Sequence, residues 1–360
     1  MKKHLFVFLT ALAAVMVSSC KKDNDELDNP NGPWSVELTA ECKSSYGPEF
    51  EIELAGTGTV TIDWGDGTVL ENFQMPELKE EYDEEDGEWY EGAEYTHRYD
   101  KVGTYLVKVT GQDGAITLLG ANNGDLSSLV LNHCSRLQYL YCYYNLLPSL
   151  DVSGCTQLKV LNCEVNLLTS LDVSKNTQLK QLHCRTNQLT SLDISKNTQL
   201  KYLECDDNEL TLLDVSKNTQ LEWLDCRDNE LTALDVSKNT QLERLYCHWN
   251  KLTSLDISKN TQLKILECHE NQLALLDVSK NTQLKRLECH ENQLALLDVS
   301  NNTQLKGLSC YDNRLSVAAM NKIYNDLPVV GQGEGYLEVD KATAGDYQIA
   351  EEKGWWVVLR

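Results

Sequence analysis

The chain has 360 residues, 41% of them hydrophobic, so it can bury a sizeable core and hold more than one domain. With 7 Trp and 16 Tyr it is not a disordered polymer. A net charge of -23 argues against nucleic acid and against a basic clamp on lipid headgroups.

The first residues carry Lys2 and Lys3, then an apolar run from Leu5 to Val17, too short to span a bilayer securely. The run closes in Val17-Ser18-Ser19-Cys20, small residues directly before a cysteine. That segment resembles the bacterial lipobox. The resemblance implies a signal peptide over 1–19 and acylation of Cys20, which makes the chain an outer-membrane lipoprotein exposed at the cell surface. Its only membrane contact is then the lipid anchor. Residues 20–33, rich in Asp, Glu, Asn, Pro and Gly, read as a flexible tether.

Residues 34–111 read as a small antiparallel β domain. Trp34 to Thr39 and Phe50 to Leu54 alternate in polarity, and Val60 to Trp64 runs into Gly65-Asp66-Gly67-Thr68, a tight turn that needs positive φ. Tyr95-Thr96-His97-Arg98-Tyr99 and Val102 to Val109 follow. The W-G-D-G-T and T-H-x-Y-x-x-x-G-T-Y-x-V motifs, in that order, resemble the PKD domain, which implies an immunoglobulin-like β-sandwich. His97 then packs structurally near the Asp-Gly turn. Between the motifs, Glu71 to Glu94 holds eleven carboxylates and one lysine and reads as a solvated loop; it lacks the spaced Asp/Asn and Gly pattern of a calcium loop.

Residues 112–136 read as a degenerate N-terminal cap unit, with Leu126, Leu129 and Leu131 in register with the units after it. From 137 to 316 the sequence repeats. Nine cysteines, Cys142 to Cys310, lie 21 residues apart, and an asparagine follows each by three, from Asn145 to Asn313. A fixed short period signals a solenoid, because one turn cannot bury its apolar stripe alone. The pattern L-x-x-L-x-C-x-x-N-x-L resembles the leucine-rich repeat, and the short period with L-D-V-S-x-N-T resembles the internalin type. The implied fold is an α/β-class right-handed superhelix, mostly β, with an extended or 3₁₀-like convex side. Along each strand Leu203 and Cys205 point inward while Tyr202, Glu204 and Asp206 point out.

The cysteine column reads as buried reduced thiols, since in-register Cβ vectors run side by side rather than towards each other. Cys134 and Cys155, also 21 apart, occupy the convex position that elsewhere holds Asn176 or Asn197, where a disulfide between adjacent turns is open. After the repeats, 317–360 reads as an α/β cap: Ser316 capping a helix over Val317 to Asp326, a strand at Tyr336 to Val339, a helix at Asp346 to Lys353 and a last strand at Trp355 to Leu359.

Comparing the units separates scaffold from readout. Asp172, Asp193, Asp214 and Asp235 recur with Ser174, Ser195 and Ser216, and such columns are structural. The outward strand positions vary instead: Tyr139, Tyr141, Tyr143; His183, Arg185; Tyr202, Glu204, Asp206; Trp223, Asp225, Arg227; Arg244, Tyr246, His248, Trp249; and Tyr311. Exposed Tyr, Trp and Arg are the residue types of interface anchors, so this face is the candidate ligand surface. Glu267, His269 and Glu270 stack on Glu288, His290 and Glu291, but residues 267–279 and 288–300 are identical, so duplication accounts for the stack and no metal is assigned. No nucleophile–base set, phosphate loop or G-x-S-x-G is present, and neither an enzyme nor a cofactor is expected. The expected partner is a protein or glycoprotein, host-derived, bound by a monomer in adhesion. The alternative is a glycan, with the chain serving surface polysaccharide uptake.

Overall fold

The computed structural model describes residues 32–43, 48–83 and 87–360. The expected signal segment, the expected acylation site Cys20 and nearly all of the expected tether lie outside the described residues.

Among the described residues, ten strands precede the repeats: β1 (Trp34–Cys42), β2 (Glu49–Thr57), β3 (Thr59–Asp63), β4 (Val69–Gln74), β5 (Lys79–Asp83), β6 (Gly87–Glu91), β7 (Ala93–Arg98), β8 (Gly103–Gly111), β9 (Ala115–Gly120) and β10 (Leu126–Asn132). Every second residue of β1 is buried, from Trp34 through Val36 and Leu38 to Cys42, as the alternation requires. A five-stranded antiparallel sheet runs β10-β1-β8-β3-β4.

Nine three-residue strands come next, one per turn: β11 (Tyr139–Tyr141), β12 (Val160–Asn162), β13 (Gln181–His183), β14 (Tyr202–Glu204), β15 (Trp223–Asp225), β16 (Arg244–Tyr246), β17 (Ile265–Glu267), β18 (Arg286–Glu288) and β19 (Gly307–Ser309). The cap adds α1 (Val317–Asp326), β20 (Gly335–Val339), α2 (Gln348–Glu352) and β21 (Trp355–Leu359). All of β9 and β11 to β21 stack in one parallel array, and β9 also pairs antiparallel with β2, which pairs with β7. The result is a 14-stranded sheet shared by the N-terminal region and the solenoid.

This continuity changes the role expected of residues 112–136. They do not close the solenoid as a self-contained unit. β9 begins the solenoid sheet, with Leu118 opposite Tyr139, whereas β10 crosses to the five-stranded sheet and pairs with β1. One hydrophobic cluster therefore runs from Trp34 through the repeats to Trp355. The acidic segment also departs from the expected loop: Lys79–Asp83 and Gly87–Glu91 pair as an antiparallel hairpin. Its carboxylates obscured three strong β-formers in the sequence, Tyr82, Trp89 and Tyr90.

Each turn is held to the next by the same bonds. In the turn at Asn166, Oδ1 accepts from the Leu147 amide at 3.0 Å, and Nδ2 donates to the carbonyls of Cys142 and Cys163 at 2.9 and 3.1 Å. This network settles the bend after each strand, where backbone groups would otherwise go unpaired. It also holds the preceding residue left-handed, from Tyr144 (φ 54°) to Asp312 (φ 48°), although none of the nine is glycine. On the convex side Asn176 Nδ2 donates to Val152 and Cys155 carbonyls, both at 2.9 Å, and the pattern recurs to Asn302. Asp172 Oδ1 accepts from the Ser174 amide at 2.9 Å, closing a small turn in place of a helix.

The cysteine column is buried and unbridged. Burial pushes each of these thiols up, Cys163 and Cys310 to about 12, so they stay protonated and act as small hydrophobes. Cys134 and Cys155 are likewise unbridged; the Cys155 carbonyl accepts from Asn176. At the far end Ser316 caps α1, its hydroxyl accepting from the Ala319 amide, and β20 and β21 extend the sheet. Among the described residues, no helix is long and apolar enough to cross a membrane.

Candidate binding surface

Parallel in-register pairing turns the outward positions into columns. The first strand position reads Tyr139, Val160, Gln181, Tyr202, Trp223, Arg244, Ile265, Arg286 and Gly307. The third reads Tyr141, Asn162, His183, Glu204, Asp225, Tyr246, Glu267, Glu288 and Ser309. The residue after each cysteine forms one more column, with Tyr143, Arg185, Asp206, Arg227, His248 and Tyr311 among its members.

At strand spacing, neighbouring side chains in a column touch. Tyr202 lies 6.5 Å from Trp223 in the first column, and Trp223 lies 5.6 Å from Tyr246 diagonally across in the third, centroid to centroid. The Arg244 guanidinium sits 4.6 Å above Trp223. Charges pair in the same way. His183 Nδ1 meets Glu204 at 2.9 Å, and Arg185 approaches Glu164 at 3.7 Å. Arg227 lies 3.5 Å from both Asp206 and Asp225. Two buried carboxylates thus share one cation. Burial, then the Asp206 charge, pushes Asp225 up to about 8 against the pull of Arg227, and burial raises Asp206 as well.

Further along, four rings stack face to face: His248 on His269 at 4.1 Å, His269 on His290 at 4.1 Å, and His290 on Tyr311 at 4.4 Å. Burial lowers all three imidazoles, His248 to about 4 and His269 to about 3, so they are neutral at neutral pH.

Pointing outward is therefore not the same as being exposed. Asp206 and His248 are each 4% exposed, paved over by their lateral neighbours. Two residues drop out of the expected surface. Tyr139 is 2% exposed, packed in a small cluster with Ala55, Leu118 and Val160 where the N-terminal region meets the solenoid. Trp249 is 46% exposed but sits past the strand, at the left-handed bend, so it marks the rim rather than the floor. The other sequence-selected residues, Tyr141, Tyr143, His183, Arg185, Tyr202, Glu204, Trp223, Asp225, Arg227, Arg244, Tyr246 and Tyr311, fall in the three columns. Unit-by-unit comparison missed Glu164, Arg286 and Glu338, which ion-pair into the same floor. The signal that finds Glu164 is register, since reading down its column places it as the opposite charge beside Arg185; Arg286 and Glu338 pair with Glu267, Glu288 and Arg360, outside the selected set.

At the N-terminal end, His97 Nε2 meets Asp66 at 2.8 Å and stacks on Trp64, while Tyr99 donates to the Trp64 carbonyl at 2.9 Å. These bonds tie the W-G-D-G-T turn to β7, and His97 is structural.

The 21-residue period, the single strand per turn and the buried cysteine column define a leucine-rich-repeat solenoid similar to the internalin type. No protein-family model matches the chain, and no curated protein matches it. Among solved structures it is similar to the functional domain of InlJ from Listeria monocytogenes, described as including a cysteine ladder, at 37% identity and a TM-score of 0.57. The match covers 64% of this chain and 52% of the Listeria chain, so this chain spans about half the length of that solved domain. A leucine-rich-repeat protein from Leptospira interrogans shares the fold at 20% identity and a TM-score of 0.53, covering 63% of this chain and 67% of that one.

Proposed function

We propose that this chain is a surface lipoprotein of a bacterial outer membrane that binds a protein or glycoprotein ligand, host-derived, on its concave strand face. The observation that carries this reading is the continuous acidic and aromatic floor from Tyr141 to Tyr311, in which Tyr202, Trp223 and Tyr246 lie beside Glu204, Asp206 and Asp225. Aromatic and arginine side chains on a rigid sheet lose little freedom on binding, which favours anchoring contacts. With a net charge of -23, the complementary partner is basic or mixed in charge. Arg244 covers one face of Trp223, which speaks against an open sugar-stacking platform. In this reading Cys20 carries the acyl anchor, and the N-terminal β region is a PKD-like sandwich that holds the solenoid off the membrane.

The test is binding of the full chain to immobilised extracellular glycoproteins and to a polysaccharide array, at low and at high salt. Salt-sensitive binding to a protein, lost when Tyr202, Trp223 and Tyr246 are all changed to Ala, supports the reading. Binding confined to polysaccharides, or binding untouched by the triple change, overturns it.

A further inference from the structure

Two of the three stacked imidazoles each present an Nδ1 that no described residue hydrogen-bonds. His248 Nδ1 and His269 Nδ1 are buried without such a partner, in residues 4% and 8% exposed. A buried polar atom left unpaired costs about 1–3 kcal/mol, so it marks either a strain or a missing ligand. Glu267 lies beside them, one carboxylate oxygen 3.7 Å from His248 Nδ1, too far for a hydrogen bond. One donor atom from each of His248, Glu267 and His269 falls within 4.8 Å of the other two.

We propose that His248, Glu267 and His269 form a site for a divalent transition-metal ion in the floor of the concave face. Two imidazoles and a carboxylate suit zinc, nickel or copper, and they do not suit calcium or magnesium, which take oxygen cages. Bond lengths of ~2.0–2.1 Å to a tetrahedral ion put its donors ~3.3 Å apart, so the three side chains close inward by about an ångström as the ion enters. Rotation about the imidazole and carboxylate torsions supplies that movement without shifting the strands. Three protein donors leave the fourth position for water or for a donor group of a bound partner.

Duplication alone does not account for this cluster. Residues 267–279 and 288–300 are identical, which explains why His290 repeats His269. His248, however, sits in a unit that differs from the next at Arg244, Tyr246 and Trp249, where that unit has Ile265, Glu267 and Glu270. The imidazole recurs while its strand neighbours change. His290 is not a ligand in this arrangement, because its Nδ1 is engaged by Ser309 Oγ at 3.1 Å, and Ser309 in turn donates to Glu338 at 3.1 Å. The competing cation is Arg286, which approaches Glu267 at 3.5 Å and also pairs with Glu288. Its side chain is half exposed, so it can leave Glu267 and keep Glu288 when a metal takes its place.

The site does not depend on what the concave face binds, and it is tested with metal alone. The full chain is stripped with chelator, then titrated with Zn²⁺ by calorimetry and with Co²⁺ by absorption. The expected result is one saturable equivalent, with cobalt ligand-field bands and no thiolate charge-transfer band. His269→Gln and Glu267→Gln each weaken Zn²⁺ binding by about tenfold or more. Arg286→Gln tightens it by removing the competitor. His133→Gln, at an exposed histidine outside the concave face, leaves it unchanged. If His269→Gln does not fold, Glu267→Gln and the gain from Arg286→Gln still decide. The absence of saturable binding, equal affinity in Glu267→Gln, or a thiolate band pointing to the cysteine column overturns the proposal.

Discussion

Two faces of the same turn obey different rules. On the inner and convex sides, Leu203, Cys205, Asn208, Asp214 and Asn218 have counterparts in nearly every unit, because each does the same task in every turn: Leu203 and Cys205 fill the core, Asn208 and Asn218 bond to the turn before, and Asp214 accepts from Ser216 in its own turn. On the concave side the only shared demand is that neighbours in a column be compatible, and the chain meets it in several ways: aromatic on aromatic, acid on base, imidazole on imidazole. Repetition therefore marks where the backbone dictates the residue, and variation marks where something outside the scaffold does. The most conspicuous features of the sequence, its cysteine and asparagine columns, carry the least functional information.

The sharpest way to test this contrast is within a single strand. Leu224 is wholly buried between turns, so Leu224→Ala leaves a cavity and costs about 3 kcal/mol in urea unfolding. The adjacent Trp223→Ala costs well under half of that, because Trp223 packs only on the open face, yet it is expected to weaken ligand binding. Equal stability losses would break the distinction between scaffold and surface.

The two asparagine columns come next. Asn229 gives Nδ2 to the carbonyls of Cys205, Cys226 and Arg227, and its Oδ1 takes the Leu210 amide. Asn229→Ala leaves these buried groups unpaired and costs about 2–3 kcal/mol. Asn218 makes two such bonds, and its Oδ1 already lacks a partner, so Asn218→Ala costs about half as much. Thermal or urea denaturation of the two variants checks the order.

The same contrast governs how much was legible in the sequence. The period, the inward Leu and Cys, the bend asparagine and the Ser316 cap were readable because each is a local chemical requirement repeated or signalled in place. The path of residues 112–136 was not, because whether Leu126 to Asn132 joins the solenoid or pairs with β1 depends on a partner strand about 90 residues away. The hairpin within the acidic segment was hidden by its charge. At the surface, the candidate residues were visible by type, but their burial was not: Asp206 and Asp225 look like solvated acids until register places Arg227 between them.

That carboxylate pair yields a pH prediction. An ordinary Asp loses its proton near pH 4, whereas folded Asp225 holds it to about 8, under burial, the charges of Asp206 and Glu204, and only partial relief from Arg227. Between those values the folded chain binds more protons than the unfolded one, so stability falls as pH rises from about 4 to about 8. Asp225→Asn cannot ionise, and its amide oxygen still accepts from the Arg227 amide. The variant should therefore lose that slope and gain about 1 kcal/mol at pH 8, read as a Tm shift of a few degrees. A variant less stable than the parent at pH 8 would show that ionised Asp225 paired with Arg227, rather than its protonated form, is the native state.

The smallest effect belongs to the rim. Lys251 pairs with Glu230 one turn back, and both side chains are about half exposed. Water screens such a pair and two long side chains lose freedom in forming it, so Lys251→Ala changes stability by no more than about 0.5 kcal/mol. The same pair repeats the geometry of the floor, a cation one turn beyond an anion, without its burial. If Lys251→Ala costs as much as Asn218→Ala, lateral pairing itself stabilises the stack, and the floor charges are scaffold. If it costs almost nothing, the buried charges at Asp206, Asp225 and Arg227 are present for a reason other than holding turns together, which is what a ligand surface requires.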